Sequence, residues 1–441
     1  MVVYVLSATF IIGFFIAYFM TDRNIISPAC VFCAVFVVAS LDLIRNIDLW
    51  AVELHWNTYA VMVGGTFVFI AVCICIHAIY RGNTNRRVLL EDGSCLTYID
   101  ISTGKLYFAL FINFLAFFSV AMFVAKIAIS YGASLNILSM ISTYRFVTTR
   151  LENEIISFPS YVNYLQLIST SSGFVWMYIL VNNYFFDKKL NRLVLLNIII
   201  ILAEYFMKGS RGYMLFLALS SIPIYYFLWC SKSNRIRKLS FKFIRRCVVI
   251  LVAIALSFKL FGSLMGKTVS SDWLTHLSIN LSAPIYNLDL FIQERWIKPN
   301  VWGYNTFGYL VSTLGRHLGV NSWVHSLDNP FRYANGVALG NVSTTFYAFF
   351  YDFGYAGVPI LIGIMAAISQ ICYERCKRNV LKKSKIRFSV ILYANIFLAL
   401  AFSFFSNKFY EGFAKIAFFE QLLIWWGIIW WLDKRRLKIK I

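Results

Sequence analysis

The chain has 441 residues, of which 60% are hydrophobic, 18% aromatic and only 14% charged. Soluble domains carry about 25% charged residues, so this composition excludes an ordinary soluble fold, which could not cover its surface. The net charge of +21, from 41 Lys+Arg against 20 Asp+Glu, sits mostly in short segments between apolar runs, which is the positive-inside pattern of membrane proteins and argues against nucleic acid as the partner.

In chain order, eleven apolar runs predict membrane-spanning helices over 2–20, 28–43, 58–80, 106–131, 161–185, 193–207, 213–230, 247–264, 355–373, 388–405 and 416–431. Each is near the roughly 20 residues that a bilayer demands. The first run has neither the basic leader nor the small-residue cleavage site of a signal peptide and reads as a span. The expected fold is an all-α polytopic membrane protein, one integral domain over 1–441. A large external loop, 266–354, joins the eighth and ninth spans. It is far longer than the usual connection of about 4–6 residues.

Alternation of the spans puts three basic segments on one side: 232–246, 374–387 and the tail with Lys434, Arg435, Arg436, Lys438 and Lys440. That side is expected to be cytoplasmic, with the C-terminus inside and the N-terminus outside. All nine cysteines, Cys30, Cys33, Cys73, Cys75, Cys95, Cys230, Cys247, Cys372 and Cys376, then avoid the outer loops, where thiols would meet an oxidising space. Cys30 and Cys33 have C-x-x-C spacing but no partner pair. The outer side carries 44–57, 132–160, 208–212, 266–354 and 406–415, and with them His55, His276, His317 and His325.

Four constellations carry candidate chemistry. The turn Lys208-Gly-Ser-Arg-Gly212 opens a helix at the outer face, where a helix N-terminus and a guanidinium suit a phosphate. Glu204, Lys208 and Arg211 recur at i, i+4 and i+7 and would share a helix face. The plain alternative is a hairpin with snorkelling side chains. The loop 132–160, with Arg145, Arg150, Glu152 and Glu154, reads either as a basic helix over a lipid phosphate or as a solvated face of paired charges. The long loop offers Arg295, Arg316 and Arg332 as phosphate clamps and His317 and His325 as proton carriers. Its Trp273, Trp296, Trp302, Tyr304 and Trp323 would stack on sugars or form an interfacial belt. Within the spans, Glu204, Lys259 and Glu420 need a cavity or a partner, and a Glu204–Lys259 pair is one possibility.

Two segments carry a resemblance. Gly209-Ser-Arg-Gly212 opens a helix after an apolar run, and Asn341-Val-Ser-Thr-Thr-Phe-Tyr-Ala-Phe-Phe-Tyr-Asp-Phe-Gly-Tyr-Ala-Gly357 closes the long loop before a span. With these at the right spans, the chain resembles the bacterial oligosaccharide repeat-unit polymerases, the Wzy-type O-antigen polymerases. The resemblance covers nearly the whole chain by span count and loop placement, and its motifs reach Arg211 and 341–357. It implies a glycosyltransferase of the inner membrane that joins undecaprenyl-diphosphate-linked oligosaccharide units at the outer leaflet, among membrane lipids. A polysaccharide chain-length regulator is the partner it implies. No soluble nucleotide sugar is needed and no cofactor is expected; no acidic D-x-D cluster for a divalent ion is visible in the outer loops. In that chemistry Arg211, with Arg145, Arg295, Arg316 or Arg332, would hold the leaving diphosphate, because the arginine fork grips two oxygens. Arg150, Lys208 and Asn341 are further substrate-binding candidates, and His317, His325 or Asp352 would serve as the base.

Rival readings differ in acceptor or mechanism. An O-antigen ligase shares the donor chemistry but passes the chain to a lipid A core. A transporter or flippase would need matched repeats or a continuous polar path. A membrane acyltransferase would need a buried catalytic histidine, and His77 is the sole histidine within a span.

Overall fold

The computed structural model describes residues 1–84, 98–150, 158–188, 190–210, 212–232, 245, 273–294, 299–324, 329–379 and 386–433. Helices make up nearly all its regular structure. In order they are α1 (Val2–Met20), α2 (Pro28–Arg45), α3 (Ile47–Trp50), α4 (Trp56–Thr84), α5 (Thr103–Ser130), α6 (Ile137–Arg150), α7 (Ser160–Asp187), α8 (Arg192–Met207) and α9 (Gly212–Lys232). There follow α10 (Trp273–Leu281), α11 (Ala283–Gln293), α12 (Gly308–Leu318), α13 (Thr345–Asn379), α14 (Phe388–Ala401), α15 (Lys408–Phe413) and α16 (Ile416–Asp433).

Eight of these helices are long and apolar enough to cross a bilayer, and α14 is a shorter apolar helix. With α8, ten of the eleven expected spans are helices; the eighth, 247–264, lies outside the described residues. The side-chain distribution is that of a protein in lipid. Along α5, Tyr107, Phe108, Phe111, Phe114, Phe118 and Met122 are exposed, while Asn113 is buried. Asn113 Nδ2 donates to Asn197 Oδ1 at 2.8 Å, and Ser172 Oγ donates to Asn113 Oδ1 at 3.4 Å. Lipid offers no hydrogen-bond partner, so polar groups turn inward and large apolar side chains face out.

The chain forms two compact units, each assembled from distant segments. The first takes Met1–Asp92, Ser270–Arg378 and Asn395–Phe418. In it Phe32 stacks on Phe69 at 4.3 Å between centroids and meets Phe346 edge-on at 6.1 Å. Gly65 is needed beside Phe346, since a Cβ there would sit 2.5 Å from its ring. The second takes Gly93–Val269, Asn379–Ala394 and Phe419–Ile441. Its core includes Trp425, whose Nε1 donates to the Ser171 carbonyl at 2.8 Å.

The 266–354 loop has its own architecture where it is described. Helices α10 to α12 are followed by an antiparallel hairpin, β1 (Arg332–Ala334) and β2 (Val337–Gly340). Its two turn residues, Asn335 and Gly336, both have positive φ, 46° and 74°, the requirement of the tight turn whose twist matches that of the strands. Helix α13 begins ten residues before the expected span start, 345 against 355, and breaks at Gly354 (φ 62°, ψ −155°). That conformation is open to glycine almost alone. At Gly357 a Cβ would lie 2.3 Å from Phe353 Cβ. Both glycines of the Asp-Phe-Gly-x-x-Gly segment are therefore dictated by backbone shape.

Candidate functional site

The turn after α8 gathers several of the residues singled out above. Asn191 caps the start of α8, accepting from the amides of Leu193 at 3.0 Å and Val194 at 3.3 Å. The helix ends at Met207. Gly209 takes φ +66°, its amide donates to the Phe206 carbonyl at 2.9 Å, and that of Ser210 donates to the Tyr205 carbonyl at 3.1 Å. This paired bonding is the glycine-dependent helix stop. The expected shared face of Glu204, Lys208 and Arg211 involves position 211, which lies outside the described residues.

Helix α6 covers this turn. A Cβ on Gly209 would lie 3.3 Å from Arg145 Cδ and 3.5 Å from Arg145 Cβ, so the arginine stem rests on the glycine. Beside it, Lys208 Nζ donates to Gln166 Oε1 at 3.1 Å and lies 5.3 Å from the Phe158 ring centre. Glu204 is fully buried, accepts from Ser169 Oγ at 2.7 Å, and has Lys208 and Gln166 as its other polar neighbours. Burial pushes the Lys208 ammonium below its ordinary value, opposed by Glu204, and burial also works against the Arg145 charge. Two partly desolvated cations beside a backbone turn attract an anion more strongly than solvated ones would. Tyr205 and Tyr213 stack across the turn, centroids 3.9 Å apart and planes 9° from parallel, and Tyr213 Oη donates to the Thr170 carbonyl.

In the first unit the expected loop residues are spread out. Arg332 is held in a two-pronged pair by Glu294, with Nη2 donating to Oε2 at 2.9 Å and Nη1 to Oε1. The pair raises the Arg332 pKa and lowers that of Glu294, so this fork already has its carboxylate. Arg316 and His317 are exposed on the last turn of α12. Arg316 Nε donates to the Ser312 carbonyl at 3.3 Å. Asn341 is half-buried, next to Val342, whose carbonyl accepts from Asn287 Nδ2 at 2.7 Å. Asp352 is buried and accepts from the amide of Asn305 at 3.1 Å and of Thr306 at 2.6 Å. Its carboxylate pins the 305–306 backbone to α13. Arg211, Arg295, His325, Lys259 and the Arg150 side chain lie outside the described residues.

One cluster was not signalled by the sequence. Asp289, fully buried on α11, accepts from the His55 amide at 2.9 Å, from Thr58 Oγ1 at 2.6 Å and from His55 Nδ1 at 3.0 Å. Nearby, Asp42 accepts from Ser282 Oγ at 2.6 Å and Ser278 Oγ at 3.1 Å, tying α2 to α10 and the start of α11. The pairing spans 234 positions in sequence. The only local hint was a histidine placed just before an apolar run.

An inside-out side-chain distribution over ten apolar helices defines the class: this is an all-α polytopic membrane protein. No protein-family model, curated protein or solved structure matches the chain.

Proposed function

We propose that the chain is a membrane glycosyltransferase that polymerises undecaprenyl-diphosphate-linked oligosaccharide units into an O-antigen-type polysaccharide, the activity its resemblance to Wzy-type polymerases implies. It would act at the outer face of the bacterial inner membrane, with the N-terminus outside, the C-terminus cytoplasmic and a chain-length regulator as partner. The observation that carries this reading is the turn at 208–210, where Arg145 lies over Gly209 and Lys208 stands beside buried Glu204. Glycosyl transfer passes through an oxocarbenium-like state, and the departing lipid diphosphate gains negative charge as its bond breaks. Fixed cations that bind that charge better in the transition state lower the barrier. Arg145 and Lys208, with Arg211 from the same motif, would supply them. Pairing with Glu294 makes Arg332 the weaker candidate, and Arg316 remains an exposed one.

The test is the polysaccharide ladder of a deletion strain carrying wild type, Arg211→Ala or Lys208→Ala at matched membrane levels. Core carrying a single repeat unit in the deletion strain, with polymer restored by wild type and reduced about 100-fold in each variant, is expected. Long lipid-linked chains with bare core would make the chain a ligase. Unpolymerised units held on the cytoplasmic leaflet would make it a flippase.

A further inference from the structure

We propose that the 266–354 loop of the first unit carries a carbohydrate-binding face, on which Trp302 stacks against a neutral pyranose and the Glu294–Arg332 pair bonds hydroxyls further along the glycan. The site lies wholly within that unit and needs no catalysis by the protein. The Trp302 indole lies nearly parallel to the Phe307 ring, 5.3 Å between centres with planes 10° apart, and meets Phe353 edge-on at 5.5 Å. One face of the indole is therefore covered, yet Trp302 is still 69% exposed. The other face is open to a ligand.

The ring is held in one plane from beneath. Gly303 takes φ +66°, and a Cβ there would lie 2.7 Å from the Phe307 ring. The buried Asp352 carboxylate accepts from the amides of Asn305 and Thr306. Thr306 Oγ1 donates to the Ala348 carbonyl at 3.1 Å, and Asn407 Nδ2 donates to the Thr306 carbonyl at 3.2 Å. A platform fixed before its ligand arrives lowers the ordering cost of binding. From the same segment the rings continue along α13. Tyr304 lies 6.1 Å from Tyr351, and Tyr351 lies 5.8 Å from Tyr347. Tyr347 has Arg332 and Glu294 as charged neighbours. Arg332 Nη2 donates to Glu294 Oε2 at 2.9 Å, while the Glu294 side chain stays 53% exposed.

Aromatic rings that lead to a paired donor and acceptor match a sugar, which has an apolar C–H face and a rim of hydroxyls that both donate and accept. The charge balance selects a neutral sugar over a lipid headgroup. Glu294 neutralises Arg332, and Asp352 is engaged by backbone amides, so these residues offer a phosphate no uncompensated cation. An indole that merely anchors a protein at the bilayer surface needs only an amphipathic ring. It needs neither a fixed plane nor a carboxylate beneath its loop.

The experiment applies the full-length protein in nanodiscs to an array of neutral and acidic bacterial oligosaccharides, then titrates the best-bound neutral glycan. Wild type is expected to retain neutral glycans. Trp302→Ala is expected to weaken binding about tenfold, and Trp302→Phe, which keeps a flat ring, to stay within about threefold of wild type. Glu294→Gln leaves Arg332 uncompensated and is expected to shift the preference toward acidic glycans by about threefold. No neutral glycan retained by wild type, or equal affinity in Trp302→Ala, overturns the proposal. So does stronger quenching of wild-type emission than of Trp302→Phe emission by nanodiscs of brominated lipid, which would place the indole in the bilayer. None of these readouts requires chain elongation, so the polysaccharide ladder tests the polymerase reading separately.

Discussion

Two imidazoles stand at opposite ends of α4, separated by 22 residues, about 33 Å of helix, and each meets a carboxylate. Their surroundings differ. His77 is enclosed: its Nδ1 lies 2.8 Å from Glu374 and its Nε2 3.3 Å from Asp22, while Lys377 Nζ reaches Asp22 at 2.7 Å and Glu374 at 3.0 Å. Both nitrogens are engaged and the ring is buried, so the group ties α4, α13 and the α1–α2 turn together. At the other end His55 engages one nitrogen and leaves the second open. The difference is that both His77 nitrogens face carboxylates, whereas only one nitrogen of His55 does. The acyltransferase alternative, which turns on His77 as a catalytic group, is disfavoured for the same reason.

Removal of carboxylates tests this contrast. Glu374→Ala strips His77 and Lys377 of a buried partner and should have the largest effect on stability, about 3 kcal/mol, read as a lowered unfolding midpoint in detergent, with the rate of the proposed polymerisation in surviving folded protein little changed. Asp289→Ala leaves the Thr58 hydroxyl and the His55 amide without their acceptor, at a smaller cost of about 2 kcal/mol. A reversed order, with the larger loss at Asp289, would break the comparison.

The smallest effect belongs to Asp22→Asn, under about 1 kcal/mol. The His77 imidazole 3.3 Å away, with Lys377 beside it and against the effect of burial, holds the Asp22 carboxyl well below the usual carboxylate range. A lowered value in the folded state means that the contribution is present above the unfolded carboxylate value, near pH 4, and fades as pH falls further. The gap between wild type and Asp22→Asn should therefore be constant from about pH 6 to 8 and close progressively below about pH 4 in unfolding experiments. A gap that widens on acidification would show that Asp22 gains nothing from its cationic neighbours.

Much of the membrane architecture was legible because burial in lipid writes itself into composition. Runs such as 106–131 and 213–230 are apolar for nearly their whole length, and Pro28 and Asn191 mark helix starts by their own chemistry. Gly209 was legible as a helix break, though not that it would seat the Arg145 stem. The Gly354 kink was half visible: the expected span began at the next residue, and the helix preceding the break lay hidden in an aromatic stretch without clean periodicity. Asp289 and His55 were out of reach, since two residues 234 positions apart meet only through the packing of α11 on α4. Asp352 was singled out for a charge that the fold uses on backbone amides.

The stacked rings of Tyr205 and Tyr213, 3.9 Å apart, have a consequence in time as well as in space. They act as a strut across the turn, anchored to α7 through the Tyr213 hydroxyl, so the ends of α8 and α9 keep one spacing. On the proposed function, an anion reaching Lys208 would meet Lys208 and Arg145 beside a turn braced in this way. Capture there would then be paced by diffusion, and a slow phase in the proposed turnover would be sought elsewhere in the protein.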